Sequence, residues 1–188
     1  MIKEVRKMEI EQRDVEYVLS IDPALSTTGY AVIDINKEDI IYVDKFITSA
    51  KHADDYRVNE IVTKLFSVAG QYPIKTIVLE DGFIGKNMRT ALQLASLRGG
   101  IISTFTFCKY EVYHMLPSQI RKELGCGGNA NKEQVAEMIT QMYKGNKKLE
   151  IIGPYSDKQN KQKTSDMYDA VATGIAYAKF IKKLKGEN

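Results

Sequence analysis

The 188-residue chain predicts an α/β fold, a five-stranded mixed sheet with helices on both faces. Three observations carry that expectation. Three β-rich runs follow one another near the start, joined by short links, and so form a meander. Two later apolar runs alternate with helical segments, the pattern of strands reached by crossovers. The first and fourth runs, ending "VLSID" and "TIVLE", both stop at an acid. Set side by side and parallel through a right-handed crossover, they bring Asp22 and Glu80 to one sheet edge, where α/β sheets tend to carry their sites.

Each element has its own signal. Residues 1–14, "MIKEVRKMEIEQRD", read as a charged extension ahead of one domain at 15–188. Strands at 16–22, 29–35 and 40–47 are rich in Val, Ile, Tyr and Phe. Val58, Ile61, Val62, Leu65, Phe66 and Ala69 recur at helical spacing in "DDYRVNEIVTKLFSVAGQY". The fourth strand covers 74–80, a long helix 87–107, and "EVYHML" the fifth strand. A short helix follows Pro117, and Asn131 opens another with Gln134 placed for a capping box. A lysine-rich loop at 144–163 then leads to a last helix, capped by Thr164 or Ser165 and running over 165–184.

The helix at 87–107 has more apolar surface than a sheet requires. Its apolar side chains sweep roughly 220° at 100° per residue, whereas resting on a sheet takes only about 100°. The surplus predicts a second buried surface, most simply the same helix of another copy across a two-fold axis, a homodimer. Arg98 interrupts this arc, and the sequence supplies no reason for it.

Composition excludes several classes. With 44% hydrophobic residues the chain builds a substantial core. It has no apolar run of about 18 residues, so a membrane span is not expected. The charged start lacks the apolar centre of a signal peptide, and Cys108 and Cys126 make no disulfide framework; both fit a reducing cytoplasm. The net charge of +3 does not by itself indicate nucleic acid. Its distribution says more, because residues 144–163 carry six lysines against Glu150 and Asp157, a patch suited to tracking phosphates.

The chemistry lies in the acids. Asp166 and Asp169, three apart, neighbour each other on one helix face, and in a first turn they would gain from the helix dipole. Joined by Asp22 and Glu80, they form an oxygen-rich pocket whose charges repel unless cations sit between them. Hard oxygen donors suit Mg²⁺, with Mn²⁺ as a substitute. Two such ions about 3.5–4 Å apart activate a water and stabilise the leaving oxygen of a phosphodiester. A metal would also explain why a buried strand ends in Asp22.

Four blocks in order, "SIDPALSTTGYAVID", "LEDGFIGKNMRTALQLASLRGG", "PSQIRKELGCGGNANKEQV" and "DMYDAVATGIAYA", resemble the RuvC family of Holliday-junction resolvases, within the ribonuclease H-like superfamily. They span nearly the whole chain. The resemblance implies a ribonuclease H-like sheet and a Mg²⁺-dependent endonuclease that resolves four-way junctions by paired nicks as a homodimer. It implies that Asp22, Glu80, Asp166 and Asp169 bind metal and that Lys132 stabilises charge on the scissile phosphate. Arg121 falls at a second basic position, and Phe83 at an aromatic that stacks near the junction crossover. Lys86, in the same F-x-x-K-N pattern, and Lys158, Lys161 and Lys163 are expected to contact DNA. Ala24 departs from the family's usual glycine, and positive φ there would disfavour alanine. The 144–163 segment is also longer than in bacterial members. A junction-binding protein with a different or lost nuclease specificity is the alternative, and a sugar-kinase-like ATPase, which needs two such domains, a third reading. Sequence preference and any helicase partner stay open.

Overall fold

The computed structural model describes residues 16–81, 87–127, 129–152 and 158–186. The charged extension at 1–14 lies outside them. Strands β1 (Tyr17–Asp22), β2 (Thr27–Asp34), β3 (Asp39–Ile47), β4 (Ile74–Glu80) and β5 (Glu111–Met115) form one sheet in the order β3-β2-β1-β4-β5. The meander β1-β2-β3 is antiparallel, and β1-β4 and β4-β5 are parallel. The mixed sheet, and the side-by-side pairing of the two acid-terminated strands, are as the sequence predicts. Among the described residues no helix is long and apolar enough to cross a membrane.

Strand alternation divides the core into two layers. Leu19, Ile21, Tyr30, Val32, Ile77 and Leu79 face helices α1 (Asp54–Ala69) and α2 (Met88–Phe107). From the opposite face, Val18, Ala31, Ile33, Val78 and Met115 meet helices α3 (Pro117–Leu124), α4 (Lys132–Met142) and the C-terminal helix α6 (Lys158–Lys185). Local signals set the helix ends. Gly125, at φ 81°, closes α3 in the left-handed conformation that glycine tolerates. Asn131 and Gln134 form the expected capping box on α4. The turn after β1 needs no glycine: Ala24 has no positive φ, and the Thr28 hydroxyl donates to its carbonyl at 2.7 Å.

Two expectations are corrected. The segment 144–163 is not a plain loop, because Lys147–Ile152 forms helix α5. The Asn146 side chain accepts from the Lys148 amide at 2.9 Å and so caps that start, and buried Leu149 anchors it to the core. The last helix begins at Lys158, not at Thr164 or Ser165. Lys and Gln in "KQNKQKT" are good helix formers with no breaker among them, so the helix runs through the supposed cap. Asp166 and Asp169 therefore sit mid-helix, and the dipole benefit expected for a first turn does not apply.

α6 lies close on β1 and β2 because the contacting positions are small. A Cβ on Gly29 would stand 1.9 Å from the Asp166 carbonyl oxygen, and one on Gly174 would stand 2.5 Å from Ile33 Cγ1. Ser20 of β1 donates its hydroxyl to the Ala170 carbonyl at 2.7 Å, tying strand to helix. Gly29→Ala is expected to cost about 3 kcal/mol in urea denaturation, because backbone cannot yield to the methyl as a side chain can. Gly174→Ala, which meets only side chains, should cost about 1 kcal/mol. Equal costs would contradict this account of the seat.

Candidate active site

The site begins where β1 and β4 end. Their parallel register pairs Ile21 with Leu79, so Asp22 and Glu80 follow as neighbours on adjacent strands. Asp22 points to the face on which Ser20, two residues earlier, meets α6. Asp166 and Asp169 of α6 come down on that face, so four carboxylates from three elements converge. Lys132, at the start of α4, donates its ammonium to Asp169 Oδ2 at 2.5 Å. Its side chain is 63% exposed against 12% for Asp169, so solvent screens the pair while the carboxylate side stays enclosed. Glu80, Asp169, Lys132 and Arg121 line one cleft, walled by Pro117 and Ile120 of α3.

Charge, more than contact, joins the acids. Burial first, then Glu80 and Asp169, push the Asp22 carboxyl well above the ordinary range. Glu80 is pushed up to about 7 by burial and by Asp169, while Lys132, Arg121 and Arg98 pull the other way. Asp169 is raised by burial against the pull of Lys132 and Arg121. Asp166 is raised by burial and Asp169, opposed by Lys132 and Lys45. For Lys132, burial disfavours the charged form, but Asp169, Asp22 and Glu80 outweigh it and hold the ammonium above its usual value. Among the described residues no three metal-ligating side chains stand as a ready-made cluster. The donor set is nonetheless all oxygen, crowded and mutually repelling, which fits a hard divalent cation and no soft one.

Other expected residues are placed less fully. Phe83 and Lys86 lie outside the described residues. Lys158, Lys161 and Lys163 belong to the first turns of α6, on the side of Asp166 toward the helix start, and their side chains lie outside the described residues. Sequence reasoning missed Lys45. It is the cross-strand partner of Gly29, itself the partner of Asp22, so all three positions share one sheet face. Only the strand register carries that signal. Reasoning from sequence also left Arg98 unexplained, and its guanidinium lies at the end of β4 beside Glu80.

The chain and its fold are similar to known proteins. The family model described as crossover junction endodeoxyribonuclease RuvC matches residues 18–177. A RuvC of Ehrlichia ruminantium is 26% identical over 170 residues, covering 88% of this chain and 98% of the relative. One of Citrifermentans bemidjiense is 32% identical over 124 residues, covering 65% and 76%. The structure of Thermus thermophilus RuvC in complex with a Holliday junction substrate superposes with a TM-score of 0.72 at 18% identity, covering 89% of this chain and 96% of that one. The yeast mitochondrial resolvase Ydc2 gives 0.66 at 13% identity, covering 92% and 81%. The fold is thus the ribonuclease H-like one of those resolvases, and with the family model matched across most of its length the chain belongs to the RuvC family of crossover junction endodeoxyribonucleases.

Proposed function

We propose that this Holliday-junction endonuclease cuts its phosphodiesters at the pocket of Asp22, Glu80, Asp166 and Asp169, as a homodimer. The observation that carries the reading is the mutual repulsion of four carboxylates, each held above its ordinary pKa, two of which, Glu80 and Asp169, line one cleft with Lys132. Mg²⁺, or Mn²⁺ in its place, at two ions per site, would supply the polarised water and offset the gathered charge. The four carboxylates are the residues that would hold the ions. Lys132 places a positive charge beside Asp169, where it stabilises charge developing on the scissile phosphate. Arg121 from α3 adds a second cation to the same cleft. Phe83, Lys86, Lys158, Lys161 and Lys163 remain the proposed DNA contacts, and Lys45 joins them. Two free cysteines suit a reducing cytoplasm.

The test is metal-dependent nicking of a synthetic four-way junction, with duplex, flap and hybrid controls. Asp169→Asn is expected to lower the nicking rate at least 100-fold while junction affinity holds or rises, since one negative charge facing the phosphates is gone. Cleavage near the wild-type rate would sink the assignment. A wild-type chain that binds the junction but does not nick it in Mg²⁺ would instead favour the alternative, a junction-binding protein with a different or lost nuclease specificity.

Stability should follow pH with a defined sign. Glu80 titrates at about 7 in the folded chain against 4.5 ordinarily, so between those values the native state holds more protons than the unfolded one. Stability of the metal-free protein therefore falls as pH rises through that window. In chelator, Tm should drop across it, Glu80→Gln should flatten the drop, and added Mg²⁺ should restore Tm above it. A Tm rising over the same range would contradict the carboxylate crowding.

The dimer reading rests on α2. Leu97, Ile101 and Phe105 are fully buried against the sheet. Met88 and Leu92 are 73% and 63% exposed, and with exposed Ala95 and Gly99 they form a stripe at coiled-coil spacing. The sequence leaves open which edge of the arc faces outward, Leu94, Leu97 and Ile101 or Leu92, Ala95 and Ile102; Leu97 and Ile101 are buried and Leu92 and Ala95 exposed, which supports the second. Leu92→Glu should sediment as a folded monomer and lose paired nicking. A wild-type chain that stays monomeric at micromolar concentration, with and without junction, would end this reading.

A further inference from the structure

Arg98, which breaks the apolar arc of α2, is spent on the active-site end of the sheet. Leu97 and Ile101, either side of it on the buried face, fix the helix against the core, so the guanidinium is presented from a rigid base. Nη1 donates to the Glu80 carbonyl oxygen at 2.5 Å. Nη2 pairs with the Asp81 carboxylate and stands 3.0 Å from His114 Nδ1 on β5. On the other side, the Asp81 amide donates to the Met115 carbonyl of β5 at 2.8 Å. The last residues of β4 are therefore held from two directions, by a strand and by a helix. The Arg98 side chain is 16% exposed, so its bonds compete little with water.

We propose that Arg98 is a positioning residue for the nuclease reaction: by clamping the Glu80 carbonyl and the Asp81 carboxylate together, it sets the backbone from which the Glu80 carboxylate meets the metal. The proposal rests on Glu80 being a metal-binding carboxylate. A planar fork reaches both acceptors at once, which a lysine ammonium at the same place does less well. The energetic logic is that of outer partners in metal sites, whose loss lowers metal affinity by about 10–100-fold while the ligands stay in place. Coulomb's law gives a built-in control. Removing a positive charge near the acids would by itself tighten cation binding, so weaker binding in the variant reports lost geometry.

The experiment is Mn²⁺ titration of the full chain without DNA, read by the EPR signal of free Mn²⁺ at alkaline pH, with thermal unfolding alongside. Arg98→Met keeps the stem and removes the donors; it is expected to weaken Mn²⁺ binding at least tenfold, and Arg98→Lys to recover part of that. Asp81→Glu, which keeps the charge but displaces the carboxylate that the fork grips and leaves the buried face of α2 untouched, should weaken it several-fold and serves if Arg98→Met does not fold. Glu80→Gln is the reference. If Glu80→Gln loses affinity while folded Arg98→Met, or Asp81→Glu in its place, binds as wild type, the positioning role is overturned and Arg98 only fastens α2. If Glu80→Gln itself binds as wild type, it is the assignment of Glu80 as a ligand that fails.

Discussion

The close seat of α6 on β1 and β2 is the constraint from which the site follows. Helix and sheet approach until a methyl on Gly29 would overlap the Asp166 backbone, and Ser20 bonds the Ala170 carbonyl across the gap. Gly29 is also the cross-strand partner of Asp22. The position that must lack a side chain is therefore the one beside the first acid. A helix held at ordinary distance would leave Asp166 and Asp169 too far from Asp22 and Glu80 to push on one another's titration. Small residues set the distance, and the distance sets the electrostatics.

That electrostatics is costly to the fold. Four half-buried carboxylates brought together disfavour their own ionisation, and Lys132 and Arg121 offset only part of the repulsion. Both cations come from the α3-α4 side of the sheet, and Lys45 adds another from the β3 side. A cluster so arranged is a poor device for stability and a good one for binding cations at neutral pH, where perturbed acids mark functional ground. The capping box at Asn131 contributes here as well, since it fixes the turn from which Lys132 reaches Asp169.

Helix α2 serves three ends with three faces. Leu97, Ile101 and Phe105 build the core under the sheet, and Met88, Leu92, Ala95 and Gly99 look outward. Between them Arg98 reaches the end of β4. The apolar arc is wider than the sheet covers, and the one arginine inside it has a polar duty at the strand end.

Sequence alone determined what depends on local order. The acid-terminated strands, the meander, the capping box and the i, i+3 pair of Asp166 and Asp169 were legible, because strand alternation, turn chemistry and helix periodicity act within a few residues. Tertiary structure decided the rest. The start of α6 was missed because "KQNKQKT" has helix propensity but no apolar period to reveal it, and α5 because it is only six residues long, with Leu149 its anchor among the described residues. Lys45 became visible only through strand register, and Arg98 only through the hydrogen bonds that carry it to Glu80 and Asp81. Those partners lie 18 and 17 residues away along the chain. Nothing in the local spacing of residues encodes such a pair; it exists because packing brings the end of one strand beneath the middle of one helix.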